Sequence, residues 1–173
     1  METKLVYLAL YQLFGALVLG TLVMFFTFKL IRITIAKRYL IQKDNVAFAI
    51  FMSTILFSVG YIVSGAIHPI HSTFRVLSHS FDSTGMLLLE FSKYLLLFVF
   101  ISMFIALMVN VIGVSLFNAL TRKVDELKEI SENNVAVGLV SGMMVVVLSL
   151  FVQDAVTLLL ESMIPYPDMP YIH

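Results

Sequence analysis

The chain has 173 residues, 60% hydrophobic and only 13% charged, with no cysteine and zero formal net charge. Soluble domains carry roughly 45–50% apolar and about 25% charged residues, so a water-soluble globule is excluded. The missing cysteines exclude disulfides, thiolate metal sites and a cysteine nucleophile, and the neutral charge balance offers no footprint for nucleic acid.

Four apolar stretches are long enough to cross a bilayer, which takes about 20 helical residues. They fall at 5–28, 46–67, 91–117 and 135–160. The first opens on Met1-Glu2-Thr3-Lys4, a weakly cationic head, and no A-x-A site follows it. It is therefore expected to stay in the mature protein as a membrane helix, not to be removed as a signal.

A basic connector comes next, with Lys29, Arg32, Lys37, Arg38 and Lys43. Ile31, Ile35 and Tyr39 fall on one helical face, and the basic surface suits either anionic headgroups or the second connector. The second stretch starts at Asp44-Asn45-Val46-Ala47. Asn is a good helix N-cap because its side-chain oxygen accepts from an amide of the first turn. Ala49 and Ser53 follow at small-xxx-small spacing, which allows close helix approach.

Residues 68–90 read as an external loop, with His68-Pro69-Ile70-His71 and then a Ser/Thr-rich run to Gly85. His68 and His71, with His79 and Asp82, suit a zinc-like ion in residue type, but their spacing matches no strong motif and no metal is expected. The third stretch carries Glu90 and Lys93 near its start and Asn110 near its middle. Thr21 occupies the place on the first stretch equivalent to Asn110. A lone mid-membrane Asn most simply makes an interhelical hydrogen bond.

The third stretch runs into residues 118–132, which lack Pro and Gly. Arg122/Glu126 and Lys128/Glu132 stand at i,i+4 spacing, and Leu120, Val124, Leu127 and Ile130 form an apolar stripe. The pattern predicts one continuous helix over 91–132, about 60 Å long at 1.5 Å per residue. The fourth stretch begins at Asn133-Asn134-Val135-Ala136, with Gly138 and Gly142 at small-xxx-small spacing. Asp154 falls near its far end, with Glu90 and Lys93 at the same level, as an ion pair or as snorkelling side chains. The tail, 161–173, is Pro- and Tyr-rich and cannot be a helix interior.

The two Asn-containing starts are the same feature written twice. A gapless shift of 89 positions (134 minus 45) superposes Asn45-Val46-Ala47 on Asn134-Val135-Ala136, Phe28 on Phe117 and Ala66 on Ala155. Such a repeat predicts an all-α integral membrane protein of four transmembrane helices. They form two parallel tandem hairpins, 1–67 and 91–160, separated by 68–90, with spans one and three extended into the cytoplasm. The excess of Lys and Arg in the two connectors places these inside and both termini outside.

The duplicated acidic/Asn-Asn-x-Ala corner resembles the YjfL-like family of small bacterial inner-membrane proteins, domain of unknown function 350. The resemblance falls on Asn45, Ala47 and Ala49 and on Asn134, Ala136 and Gly138. It implies a bacterial inner-membrane location, periplasmic termini and tandem two-helix units. Some relatives are encoded beside membrane-stress proteins of the PspA type, which implies an envelope-stress setting and a cytoplasmic or membrane protein partner.

No protease, P-loop, hydrolase or dinucleotide motif occurs, so neither enzyme activity nor a cofactor is expected. Two functions remain. One is a non-enzymatic assembly protein, homo-oligomeric or part of a larger complex, embedded in lipid. The other is a passive pore lined by Asn45, Asn134 and Asn110. Spans two and four are expected to touch closely through their small residues, within one protomer or between two.

Overall fold

A computed structural model of the chain describes residues 2–42, 44–81, 83–121 and 125–166. The described residues are helical, without a strand. Helix α1 is Glu2–Ile31, α2 Val46–Ser64, α3 Ile67–Ser80, α4 Thr84–Thr121, α5 Glu126–Ser131 and α6 Val135–Glu161. Four segments are long and apolar enough to span a membrane: Leu13–Ala36, Val46–Ser80, Gly85–Thr121 and Val135–Glu161. The architecture fits a multi-pass membrane protein.

The centre of the bundle is the α2–α6 pair, with α4 packed against both and α1 leaning on α2. The core is built from Phe51, Ile55, Val59 and Ile62 of α2, Phe98 and Ala106 of α4, and Val156 and Leu160 of α6. Most other large apolar side chains face outward, as a bilayer-facing surface does.

The small-residue prediction resolves in an uneven way. A Cβ on Gly138 would lie 2.7 Å from the carbonyl oxygen of Ala47, and one on Gly142 would collide with the Thr54 side chain. Spans two and four therefore touch within one protomer, with the glycines of α6 against α2. Ala49 and Ser53 do not share this contact; both are exposed. Ala47 and Thr54 supply the facing surface, because the α2 face toward α6 is set by the crossing geometry and not by residue size alone.

Three expectations are corrected. Residues 68–90 are not a loop, since α3 occupies Ile67–Ser80. Pro69 lies in the first turn of α3, where its missing N–H has no intrahelical partner to lose. Pro69, Ile70, Thr73 and Leu77 are buried on one face, the i, i+3/i+4 spacing of an amphipathic helix. The continuous helix over 91–132 is also overturned. Helix α4 already starts at Thr84 and ends at Thr121, and Asp125 caps a separate α5 by accepting from the Lys128 amide at 3.2 Å. Arg122 and Val124 of the expected ion pair and stripe lie outside the described residues. Lys128 Nζ does lie 4.0 Å from Glu132 Oε1.

The basic connector is likewise not one regular helix. A π-helical turn over Arg32–Ala36 follows α1, and the chain reverses at Leu40, whose φ is 48°. Ile31 is buried and Ile35 and Tyr39 half-buried. Helix α5 takes α6 and α2 as its main partners. At the other end, α6 closes with Ile164 buried and Tyr166 exposed, and the rest of the expected Pro/Tyr tail, 167–173, lies outside the described residues.

Candidate functional site: the asparagine corners

Both asparagines that open apolar runs are N-caps. Asn45 has extended φ and ψ and its Oδ1 accepts from the Phe48 amide at 2.7 Å. Asn134 has the same geometry and accepts from the Val137 amide at 3.3 Å. Each cap satisfies one of the four amides that a helix start leaves open. In or near hydrocarbon an open amide costs several kcal/mol in order of magnitude, so the residue type follows from the solvent.

The remaining hydrogen-bonding capacity separates the two corners. Asn45 Nδ2 donates to the carbonyls of Ile130 at 2.7 Å and Ser131 at 3.0 Å, so it also ties off the end of α5. Asn134 Nδ2 donates to Glu129 Oε2 at 2.8 Å, a local contact within its own corner. Asn133 returns the long-range bond: its Oδ1 accepts from the Ala47 amide at 3.0 Å. Its φ of 67° is the left-handed turn that redirects the chain from α5 into α6, a conformation Asn tolerates better than most residues. Asn45 and Asn133 thus stitch the two corners together in both directions.

The neighbours of these caps differ as well. Ala47 is fully buried under Gly138, while Ala136 and Asp44 are exposed. Glu126 of α5 is almost wholly buried, its Oε1 accepting from Thr121 Oγ1 at 3.1 Å. Arg122, its expected i,i+4 partner, lies outside the described residues.

In the bundle interior, Asn110 is buried and donates to Ala106 O at 2.7 Å and Ser58 Oγ at 3.3 Å. This is an α4–α2 hydrogen bond of the interhelical kind expected of Asn110, and the sequence did not mark Ser58 as its acceptor. Asn110 Oδ1 and Thr27 Oγ1 are buried without a partner among the described residues. Thr21 is exposed and bonds its own helix through Leu17 O at 2.8 Å.

At the end that carries α3, Glu90 and Lys93 pair at 2.6 Å and Asp154 is exposed. His68 Nδ1 lies 3.0 Å from Glu161 Oε1 and joins α3 to α6. No group of three His, Cys, Asp or Glu placed to hold a metal occurs among the described residues. Asp82 lies outside them.

The fold and the capped corners define a helical membrane protein of the multi-pass class. More particularly, the chain belongs to the family described as Domain of Unknown Function (DUF350), whose model matches residues 1–156. No curated protein and no solved structure matches the chain.

Proposed function

We propose that the protein is a non-enzymatic assembly or scaffold protein of the bacterial inner membrane, self-associating or serving as a subunit of a larger membrane complex. The observation that carries this reading is the state of α1. Only 17% of its most apolar window is buried, against 44% for Val46–Ser80. On its open side, a Cβ at Gly20 meets nothing within 4 Å. Ala16 and Gly20 stand at small-xxx-small spacing on that side, a surface that suits helix–helix association in lipid. The glycines of α6 are already used inside the protomer, so α1 and not α6 is the associating face.

The fold is read as a duplicated hairpin, supported by the matched caps at Asn45 and Asn134. The basic connector and α5 then form the cytoplasmic side, with the termini outside, a placement supported by the Lys and Arg excess in the connectors. That side presents Arg32, Lys37 and Arg38, all exposed, to an acidic partner surface, in keeping with an envelope-stress role. The alternative, a passive pore lined by the Asn corners, draws less support. The carboxamides of Asn45 and Asn134 are taken up by hydrogen bonds within the protomer.

The test is the native mass of the full chain in mild detergent. A homogeneous species larger than one chain, dissociated by Gly20→Leu, supports the assembly reading. So does a stoichiometric complex with a second protein. A monomer indifferent to Gly20→Leu refutes it. Solute flux into vesicles that is abolished by Asn134→Leu would favour the pore instead.

A further inference from the structure

An apolar cavity of about 440 Å³ lies between α1, α3 and α4. Phe14, Leu19 and Leu22 wall it on α1, Phe74 on α3 and Phe91 on α4; among the described lining residues His71 is the one ionisable group. From Phe14 to Leu22 the α1 wall runs about 12 Å along the helix axis. The space is a slot parallel to the helices, with its polar group at the α3 end.

The position of α3 sets the depth of that end. Helix α2 has 19 residues, about 28 Å of rise, which nearly uses up the ~30 Å of hydrocarbon. After it comes α3, whose one buried face and one polar face are those of an interfacial helix. Helix α3 holds His68, His71, Arg75 and His79 and no Asp or Glu. Glu161 reaches α3 at His68, while Arg75, one helical turn beyond His71, remains exposed. A dry slot in contact with lipid forfeits dispersion contacts along its walls unless a chain fills it.

We propose that this cavity holds one acyl chain of an anionic phospholipid, with the headgroup phosphate received by His71 and Arg75. The slot supplies the apolar fit, Arg75 supplies the charge complementarity as the one Lys or Arg of α3, and His71 supplies a hydrogen-bonding nitrogen at the slot wall. The inference goes beyond the assembly reading and does not depend on it.

The sequence has no tryptophan, so Phe14→Trp places a single fluorescent reporter at the slot. The full chain carrying it is reconstituted in phosphatidylcholine vesicles with a small fraction of dibrominated phosphatidylglycerol or, separately, dibrominated phosphatidylcholine. Quenching by the brominated phosphatidylglycerol is expected to be several-fold stronger. Gly15→Leu is expected to remove that excess, because Gly15 lines the slot and its Cβ meets nothing within 4 Å. The added side chain thus fills space without a clash, and an unchanged melting temperature verifies the fold. His71→Leu with Arg75→Gln is expected to reduce phosphatidylglycerol quenching to the phosphatidylcholine level. Equal quenching by the two lipids overturns the proposal, as does an excess that survives Gly15→Leu. A reporter quenched by neither lipid also overturns it, since a polypeptide segment then covers the slot.

Discussion

Two regions of the bundle, the asparagine corner and the slot beside α1, are held together by different physics. At the corner end, side-chain amides of Asn45 and Asn133 bond to backbone across the α2–α6 contact, and Ala47 lies directly on Gly138. Beside α1 at the α3 end, an open apolar slot separates α1 from α3 and α4, and the polar contact that joins α3 to α6 there is His68 with Glu161, both at least partly exposed. The α2–α6 seam itself stays tight at this end, where Thr157 Oγ1 donates to Gly65 O at 3.1 Å. The corner end is specific in geometry and intolerant of volume. The α1 side of the α3 end is looser, and it is where the molecule has room for something else. Directional bonds in a low-dielectric setting fix positions, whereas apolar contact with lipid available as a substitute does not.

This contrast can be broken most directly at the corner. Gly142→Leu drives a side chain into Thr54, and overpacking of this kind costs about 1–3 kcal/mol, more where the helix axes must part. We expect it to cause the largest loss of thermal stability in detergent of any change named here. Asn45→Ala follows, with about 1 kcal/mol for the cap and about 1 kcal/mol for each of the two carbonyl bonds. Asn134→Ala is expected to cost about 1–2 kcal/mol, because its second bond is local. Equal effects at Asn45 and Asn134 in a denaturation series would erase the asymmetry between the corners.

The smaller changes sharpen the same comparison. Asn133→Gly loses the bond to the Ala47 amide but relaxes a left-handed residue, so its net effect is expected to stay within about 1 kcal/mol. Lys93→Gln removes a pair whose side chains are 61% and 34% exposed, and such pairs are worth about 0–1 kcal/mol. A melting temperature that hardly moves with Lys93→Gln, beside a large fall with Asn45→Ala, is the expected pattern.

Much of this organisation was readable from residue type and order. Hydrophobic length alone marked the spanning segments, because a bilayer forces every crossing segment to be long, apolar and internally hydrogen-bonded. Asn45 and Asn134 were readable as helix starts, since an Asn before an apolar run has a specific use for its side-chain oxygen. Gly138 and Gly142 were readable as a close-contact face. The partner of that face was not, because Ala49 and Ser53 have the right size and spacing but point away from α6. Helix α3 was hidden by its Ser, Thr and Pro content, which in a loop signals turns and here decorates the polar face of an amphipathic helix. The break before α5 was hidden because no Pro or Gly marks it; Asp125, with extended φ and ψ, caps α5 as a new helix.

By itself, then, the order of residues determined the solvent, the number of spanning segments and the places where helices begin. Those follow from interactions local in the chain, between a side chain and the water, lipid or amides nearest to it. Only the tertiary structure decided that Asn45 serves α5 as well as α2, and that the glycines of α6 meet Ala47 and Thr54. The same holds for the slot beside α1. These depend on how helices cross, and a crossing is set by the summed fit of many side chains, which no single position in the sequence carries.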